Sequence, residues 1–463
     1  MRQVVLLFVA LAVSSLGADW TRVASGRIEV LTDAGASVAK ETLGRLERIR
    51  AVFREFGPEE PRLPLRVFVF ASRAEFSTYH EGALVEGFYR NRPERDFIVL
   101  QAGATGGRAV YHEYVHHVLG RAAAELPLWF QEGSAELYSN VEAGKDRLVV
   151  GRLIPEHLST LASVTRLSAA KLAGANPRSP DYNEQKHSGI FYAQSWALVH
   201  MLNLAPGYRE SLPRFVELLL ESRPASEAFE AAFGRTLENA LAELTGYINR
   251  MRSTTVGFAR AEAPVPPVVS RVAPVTALLL RADLALHVDR AAIASGLFQK
   301  AARDFSDSPE AIAGLGTLAM SEGRWEDARR HLERAIQSLP ASADLLFEYA
   351  MLERDTGATP SRVDELLRRV IVADAQHGEA QFLLGSHASD DGRWEEAVRH
   401  LEQAARVLPR RSFVWHALGL AQWKLGRARE AGVSAHRASA TAATDAEEQM
   451  AATLAELVRG DAK

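Results

Sequence analysis

A glycine-centred segment recurs in the C-terminal part of the chain, at a spacing that restricts how this part can fold. Gly323-Arg324-Trp325 returns as Gly392-Arg393-Trp394 and again as Gly426-Arg427-Ala428. Gly357 and Asp289 fall in the same register, and the shared period is about 34 residues. Helical patterns flank each position, so each unit is predicted to be a helix, a turn and a second helix. Such units must stack on one another, because one unit alone cannot bury its apolar face.

The period and the helix–glycine–helix pattern resemble those of tetratricopeptide repeats. We expect about five repeats over Val275–Ala446 and a capping helix over Glu447–Arg459. Residues 275–463 are therefore predicted to form an all-α solenoid of tetratricopeptide (TPR) repeats. The resemblance implies a concave groove that binds a protein partner.

The segment before the repeats is rich in proline. Pro264, Pro266, Pro267 and Pro274 follow one another within a short stretch. Proline favours extended, semi-rigid backbone. We therefore predict that residues 256–274 are a linker between two domains.

Length and composition exclude several classes of protein. A chain of 463 residues with 47% hydrophobic and 24% charged residues is typical of a soluble protein with more than one domain. The formal net charge is -4 and the sequence has no basic patch, so no nucleic-acid partner is expected. There is no cysteine, which excludes disulfides, thiolate zinc ligands and a cysteine nucleophile.

The first residues have the pattern of an export signal. Arg2 precedes the apolar run Val4–Val13, and the small residues of 14–18 follow, with cleavage expected after Gly17 or Ala18. Residues 1–18 are therefore predicted to be a signal peptide, and the protein to be exported, either periplasmic or secreted. An uncleaved anchor is the alternative, although the run is shorter than the ~20 residues that span a bilayer. No stable membrane span is expected after signal cleavage.

The segment His112-Glu113-Tyr114-Val115-His116 carries the chemistry. Apolar residues at helical spacing predict a helix over Arg108–Leu119, and on it His112 and His116 lie on one face. Imidazole is a favoured zinc ligand, and a catalytic zinc takes three protein ligands and a water. Glu113 is placed to act as general base toward that water. His117 points about 100 degrees away from this face, so we expect a packing or surface role.

Two glutamates compete for the position of third ligand. Glu132 and Glu136 both follow His116 in the chain, one helical turn apart, on one face of a helix predicted over Leu128–Tyr138. A ligating imidazole usually donates its other N–H to a carboxylate. One glutamate can therefore bind zinc while the other orients a histidine, and spacing alone does not assign the two roles.

The sequences HEYVHH and WFQEGSAELY resemble those of the gluzincin metallopeptidases of the peptidase-MA-like type, which pair HExxH with a WLxEG-type helix. The resemblance covers residues 20–251 and is best over 108–202. It implies a Zn²⁺ cofactor held by His112, His116 and Glu132, with Glu136 as the acid that orients a ligand. The aminopeptidase signature GxMEN is missing, which disfavours exopeptidase activity.

Peptide hydrolysis also needs a donor for the oxyanion. Residues 191–202 resemble the helix on which related enzymes carry an oxyanion-binding tyrosine, and the matching residue is Tyr192. Tyr182 and His187 are the alternatives. By the same analogy, the strand over Phe97–Leu100 could be an edge strand that pairs with an extended peptide; a purely structural hairpin is the other interpretation.

These observations predict an α+β metallopeptidase domain, with a mixed sheet and a helical subdomain that contains the HExxH helix, followed by the TPR solenoid. The predicted parts are a signal peptide at 1–18, an α+β part at 19–104, a helical zinc part at 105–255, the linker at 256–274 and the repeats at 275–463.

The expected function is zinc-dependent endopeptidase activity on peptide or protein substrates, with a protein partner in the TPR groove. The alternative is a TPR interaction scaffold with a cryptic or inactive peptidase domain. A structural zinc is disfavoured, because such ions usually have four protein ligands and Glu113 would then have no purpose.

Overall fold

The computed structural model describes residues 19–56, 64–80, 86–91, 95–103, 107–122, 126–143, 147–176, 179, 182, 188–221, 223–251, 255–259, 267–338, 342–409, 411–442 and 445–460. The predicted signal peptide, residues 1–18, lies outside them. Within these ranges, no helix combines the length and the apolar character needed to cross a membrane.

A six-stranded mixed sheet organises the N-terminal part. Its strand order is β4–β5–β3–β2–β1–β9, with β2, β3 and β5 parallel to one another and the other three strands antiparallel to their neighbours. The strands are β1 (Thr21–Ser25), β2 (Ile28–Thr32), β3 (Leu65–Phe70), β4 (Gly87–Arg90), β5 (Asp96–Gln101) and β9 (Val268–Arg271).

Helices cover one face of this sheet and continue into a helical subdomain. Helices α1 and α3 pack on the sheet, and α4 packs between α3 and α7. The helices are α1 (Ala36–Phe56), α2 (Arg73–Phe76), α3 (Arg108–Ala122), α4 (Leu128–Ser139), α5 (Pro155–Ser163), α6 (Ala169–Ala173), α7 (Ser188–Leu204), α8 (Leu212–Leu220), α9 (Ala225–Phe233) and α10 (Leu237–Ile248).

The C-terminal part is a helical solenoid of TPR type, which confirms the prediction from the glycine spacing. Five helix pairs are followed by one further helix: α11 (Pro274–His287), α12 (Ala291–Asp304), α13 (Pro309–Ser321), α14 (Trp325–Ser338), α15 (Ala343–Asp355), α16 (Pro360–Ala373), α17 (Gly378–Asp390), α18 (Trp394–Val407), α19 (Ser412–Lys424), α20 (Ala428–Thr441) and α21 (Asp445–Gly460).

The turns between paired helices explain the glycine register. Gly323, Gly357, Gly392 and Gly426 have φ of 71°, 85°, 74° and 71°, in the left-handed region that favours glycine. Asp289 stands at the equivalent position of the first pair with φ 60°. Aspartate is one of the few other residues that tolerates this conformation, which accounts for the departure from the repeat.

The second face of the sheet is covered by the start of the solenoid. Along β3, Val67 and Val69 face the core shared with α1 and α3, whereas Phe68 and Phe70 face the opposite side. On that side, residues of α11, α12 and α13, including Leu284, join the same buried cluster as the strand side chains. The large sheet and the first repeats therefore share one hydrophobic core.

Residues 256–274 were predicted to be a linker between two domains, but both ends of this segment pair with strands. Residues 256–259 form β8, which pairs with β7 (Arg147–Val150), and β7 in turn pairs with β6 (Glu142–Ala143). Residues 268–271 form β9 on the edge of the large sheet. The backbone is extended where the structure describes it, but the flanking non-proline residues donate hydrogen bonds to strands and do not remain free. The part predicted as helical, 105–255, accordingly contains the strands β6 and β7.

Of the two interpretations of Phe97–Leu100, the edge strand is wrong and the hairpin is confirmed, because β4 and β5 pair as antiparallel neighbours. These residues belong to β5, which lies between β4 and β3, and β4 is the edge. The sequence pattern of a hairpin does not reveal which of its two strands meets a third one. Helix α3 also runs past Gly120 to Ala122, beyond its predicted end.

The shared core makes a prediction about stability. Leu284 in α11 and Leu401 in α18 are both fully buried, the first against the sheet and the second within the repeats. Replacing either with alanine should lower the free energy of unfolding by about 2–5 kcal/mol. Only Leu284→Ala should speed amide hydrogen exchange in β3, measured by mass spectrometry. Unchanged exchange in β3 in that variant would contradict a common core.

Candidate metal centre

Two helices bring the predicted zinc ligands together. In α3, Val110, Tyr114, Val115 and Val118 are buried against the core, and this apolar face determines how the helix is rotated about its axis. His112 and His116 then lie one above the other, with ring centroids 4.8 Å apart. Both imidazoles are partly exposed, whereas the core side of the helix is closed.

Helix α4 packs closely against α7 because one of its residues is a glycine. A Cβ built on Gly133 would lie 2.4 Å from the backbone oxygen of Ser195 and 2.6 Å from Cγ2 of Val199, both on α7. Glu132, the residue before it, is buried and faces α3. The glycine of the WFQEG segment is thus required for the packing of α4 on α7, and this packing positions the glutamate.

Three donor atoms form a small triangle. Nε2 of His112 lies 3.1 Å from Nε2 of His116, and each of these nitrogens lies 3.5 Å from Oε2 of Glu132. Zinc bonds of about 2.0–2.1 Å at tetrahedral angles would separate the donors by about 3.3–3.4 Å. Among the described residues, these three form the only group with such spacing.

An unsatisfied atom supports the same interpretation. Oε2 of Glu132 is buried and has no hydrogen-bond partner among the described residues. Buried carboxylate oxygens are normally hydrogen-bonded or bound to a metal, because burial of an unpaired charge is costly. The residues present therefore fit a tetrahedral zinc with three protein ligands and one remaining position.

Glu136 occupies a different place from Glu132. Its Oε1 lies 3.2 Å from Nδ1 of His112, on the side of the ring that faces away from the donor triangle. Its Oε2 accepts hydrogen bonds from Arg108 Nη2 and His157 Nε2, each at 2.9 Å. This geometry matches a carboxylate that orients a ligating histidine, the role that the resemblance implies for Glu136.

The sequence did not predict that Arg108 and His157 contact Glu136. Arg108 stands one helical turn before His112, so its proximity could have been noticed from i, i+4 spacing. His157 belongs to α5, 21 residues after Glu136, and stacks near Trp196 of α7 with ring centroids 5.4 Å apart. No local sequence pattern predicts the contact of His157 with Glu136, because it depends on how α5 packs in the helical subdomain.

The histidines and glutamates of the site shift one another's pKa values. Burial raises the pKa of Glu132, but the nearby His116 and His112 outweigh it and hold that pKa well below its ordinary value. The pKa of Glu136 is likewise lowered, because its hydrogen bonds with His112 and His157 outweigh burial. Both carboxylates are therefore ionised. Burial raises the pKa of the Glu113 carboxyl, against the opposing effect of His112 and His116.

The tyrosines lie on the opposite side of Glu132. The hydroxyl of Tyr182 donates to Oε1 of Glu132 at 3.0 Å, which leaves Oε2 facing the two histidines. The ring of Tyr192 is 5.8 Å from that of Tyr182, at an interplanar angle of 33°. Burial and the charge of Glu132 raise the pKa of both tyrosines, so both stay protonated. His187, the other alternative, lies outside the described residues.

His117 has a packing role, one of the two roles expected for it. Its Nδ1 lies 2.7 Å from Oδ2 of Asp96, and both side chains are almost completely buried. Asp96 is the first residue of β5, so this pair ties the end of the HExxH segment to the sheet.

Comparisons with known proteins match the repeats. Residues 382–412 match the family model of the tetratricopeptide repeat. The type IV pilus assembly protein PilF of Pseudomonas aeruginosa is 27% identical over 127 residues, which is 27% of this chain and 50% of that protein. The chain thus spans about half the length of this curated relative.

Similar solved structures are also TPR proteins. YrrB, described as having an unusual peptide-binding site, is 17% identical, with a TM-score of 0.31, over 38% of this chain and 90% of its own. MamA is 19% identical, with a TM-score of 0.29, over 37% and 96%. TTC0263 of Thermus thermophilus is 16% identical, with a TM-score of 0.30, over 40% and 99%.

The close approach at Gly133 predicts a loss of metal binding without any change of ligand. Gly133→Ala should force α4 away from α7, cost about 1–3 kcal/mol or more of folding free energy, and weaken zinc binding. Gly189→Ala is the matched control, because its Cβ would meet only Thr160 Cγ2, at 3.8 Å. Thermal unfolding and zinc titration measure both effects. Equal behaviour of the two variants would rule out the steric role.

The two glutamates should differ in metal binding. Glu132→Ala should reduce the zinc content, measured by elemental analysis, from one ion per chain toward none. Glu136→Gln should keep the ion but lower its affinity about 10–100-fold, since the hydrogen-bonding partner of His112 changes. Glu230→Gln, at an exposed position on α9, is the control. Loss of zinc in the Glu136 variant alone would exchange the two roles.

Proposed function

We propose that this protein is a zinc-dependent endopeptidase with a TPR array that binds protein. The donor triangle of His112, His116 and Glu132, with the unpartnered oxygen of Glu132, carries the proposal. The same helix presents Glu113 next to the first ligand, as zinc-assisted peptide hydrolysis requires. The assignment of a peptidase rests on this site and its motif, and the family match supports only the repeats.

Zinc in such a site lowers the pKa of a coordinated water and polarises a carbonyl group. The chain supplies the proton transfers. Glu113 is buried, and its Cγ would lie 3.4 Å from a Cβ built on Gly87, so the carboxylate stands at the beginning of β4. It would take a proton from the attacking water and pass it to the amine nitrogen as the C–N bond breaks.

A tyrosine would bind the oxyanion. Tyr192 is the candidate that the resemblance implies. The hydroxyl of Tyr182 donates to Glu132 and that of Tyr192 is hydrogen-bonded to Tyr182, so Tyr192 would exchange this partner for the developing negative charge. Burial, followed by the charge of Glu132, raises the pKa of Tyr192 and keeps it protonated, which is the state a donor needs. Tyr182 instead holds Glu132 in the orientation that directs one oxygen at the histidines.

The edge strand β4 is suited to hold an extended substrate. Its position at the end of the sheet leaves the side away from β5 without a neighbouring strand among the described residues. A peptide that added to this edge would run past Gly87, and therefore past Glu113. This assigns to β4 the role that the sequence had suggested for Phe97–Leu100.

A second candidate is a TPR interaction scaffold with a cryptic or inactive peptidase domain. The match of residues 382–412 to the tetratricopeptide repeat model favours it, since this match concerns the repeats. Both candidates include partner binding by the repeats, and they differ in whether the metal centre hydrolyses peptide bonds. We also propose, on the pattern of residues 1–18, that the protein is exported to the periplasm or the medium. This proposal is compatible with either candidate function.

The decisive variant is Glu113→Gln. It keeps the three ligands and removes the base, so it should bind one zinc per chain and lose about 10²–10⁴-fold in cleavage rate. Cleavage is measured by mass spectrometry on a peptide library derived from unfolded proteins, with zinc added. Glu230→Gln, at an exposed position on α9, should cleave as the wild type does. Zinc-loaded wild type that cleaves nothing in the library, or no faster than Glu113→Gln, would favour the scaffold.

A further inference from the structure

A cavity of about 990 Å³ lies where the solenoid meets the sheet. Its repeat side is formed by the first helix of successive pairs, α11, α13 and α15, and it extends to the end of α18. Its other side is formed by residues at the beginning of parallel strands: Arg27, Pro64, Arg66, Arg95 and Phe97. The groove is thus built jointly by the repeats and by the metal-bearing part of the chain.

Three arginines gather at the sheet side of this groove. Arg27 precedes β2, Arg66 lies in β3 and Arg95 precedes β5. Ile28, Leu65 and Asp96 form one paired row, so Arg27 and Arg95 lie one position before that row and Arg66 one position after it, on the same face of the sheet. Arg66 is buried and bound to Glu29 at 2.5 Å and Asp283 at 3.3 Å. Burial, followed by the charge of Arg95, lowers the pKa of Arg66, so the two guanidinium groups repel each other.

Arg27 is exposed, whereas Arg95 is partly buried, near enough to Glu29 and Asp283 to lower the pKa of both carboxyls but without an ion pair to either. The buried Nε of Arg95 has no hydrogen-bond partner, and no ion pair of Arg27 or Arg95 occurs among the described residues. An unpaired buried donor costs free energy until an acceptor reaches it. An anion placed between Arg27 and Arg95 would provide acceptors and would relieve the repulsion with Arg66.

The acidic residues of the groove differ, because most of them already have partners. Asp283 binds Arg66, Glu348 accepts from Thr317 Oγ1 at 2.7 Å, and Asp374 accepts from the backbone N–H of Gln376 at 2.9 Å. Glu310 accepts from Ser308. The exposed Asp344 is the exception. Among the buried charged atoms that line the groove, Nε of Arg95 is the one without a partner in the described part of the chain.

Half-buried apolar side chains lie beside the arginines. Leu279, Met320, Phe347 and Met351 line the groove from the helices and remain partly accessible to solvent. Such residues on a concave surface suit apolar side chains of an extended segment, whereas the arginines suit carboxylates.

We infer that the groove binds an extended acidic segment of a protein partner, in which aspartate or glutamate side chains engage Arg27 and Arg95 and neighbouring apolar side chains contact Leu279, Met320 and Phe347. The inference rests on the proposal that the repeats bind protein and is independent of the metal centre. It assigns part of the partner recognition to residues outside the repeats.

Fluorescence anisotropy with the full chain tests this with labelled, C-terminally amidated peptides. One peptide alternates leucine and glutamate, and two others replace glutamate with glutamine or lysine. The glutamate peptide should bind most tightly, and more weakly as salt is added. Arg95→Gln should weaken its binding at least about tenfold, because a charge-assisted hydrogen bond is lost.

Arg209→Gln, at an exposed position outside the groove, should bind the glutamate peptide as the wild type does. Thermal unfolding verifies that each variant is folded, and Phe347→Ala provides a second variant that leaves all charges in place and should also weaken binding. Equal or tighter binding of the glutamine or lysine peptide would overturn the inference. So would binding only of a glutamine peptide with a free C-terminal carboxylate, or no binding of any peptide. Zinc content and proteolysis are measured separately, so their failure would concern the metal centre alone.

Discussion

Burial of both faces of the six-stranded sheet is the constraint on which the rest of this structure depends. The side chains of β3 alternate between two hydrophobic cores, and all six of its residues are buried. One core holds α1 and the HExxH helix, and the other holds the first helices of the solenoid. A sheet buried on one face only would leave Phe68 and Phe70 exposed to water, at a cost of about 1.5–3 kcal/mol for each side chain. The repeats are therefore part of the folding unit that carries the metal centre.

Strand β5 connects the two functional regions. Asp96 points toward the HExxH helix and holds His117, next to the predicted ligand His116. Its neighbours Arg95 and Phe97 line the groove on the other side, where the Phe97 ring lies 5.0 Å from that of His287 in α11. A buried acid–histidine pair is costly to disrupt, because either partner alone would be left unsatisfied. The strand that supports the HExxH helix is thus the same strand that contributes to the proposed partner site.

The sequence predicted the local features well and the long-range ones poorly. His112 and His116 could be placed on one face because helical spacing is local, and the turn glycines could be placed because a left-handed backbone conformation favours glycine. The different positions of Glu132 and Glu136 could not be resolved by spacing, since both lie on one helical face; the structure separates them by the ring nitrogen that each one faces. His157 and Tyr182 were missed or ranked low because their contacts with Glu136 and Glu132 join residues 21 and 50 positions apart.

By itself, the sequence determined which segments are helices of a repeat, where the HExxH helix lies and which side chains can offer metal ligands. These properties follow from periodicity and residue chemistry within a few turns. Only the tertiary structure decided that the proline-rich segment ends in strands, that β4 and not β5 forms the edge, and that the repeats complete the core of the sheet. Such outcomes depend on which surfaces are left uncovered when all elements have formed, and distant parts of the chain compete to cover them. The same competition brought three arginines from separate strands to one end of the groove.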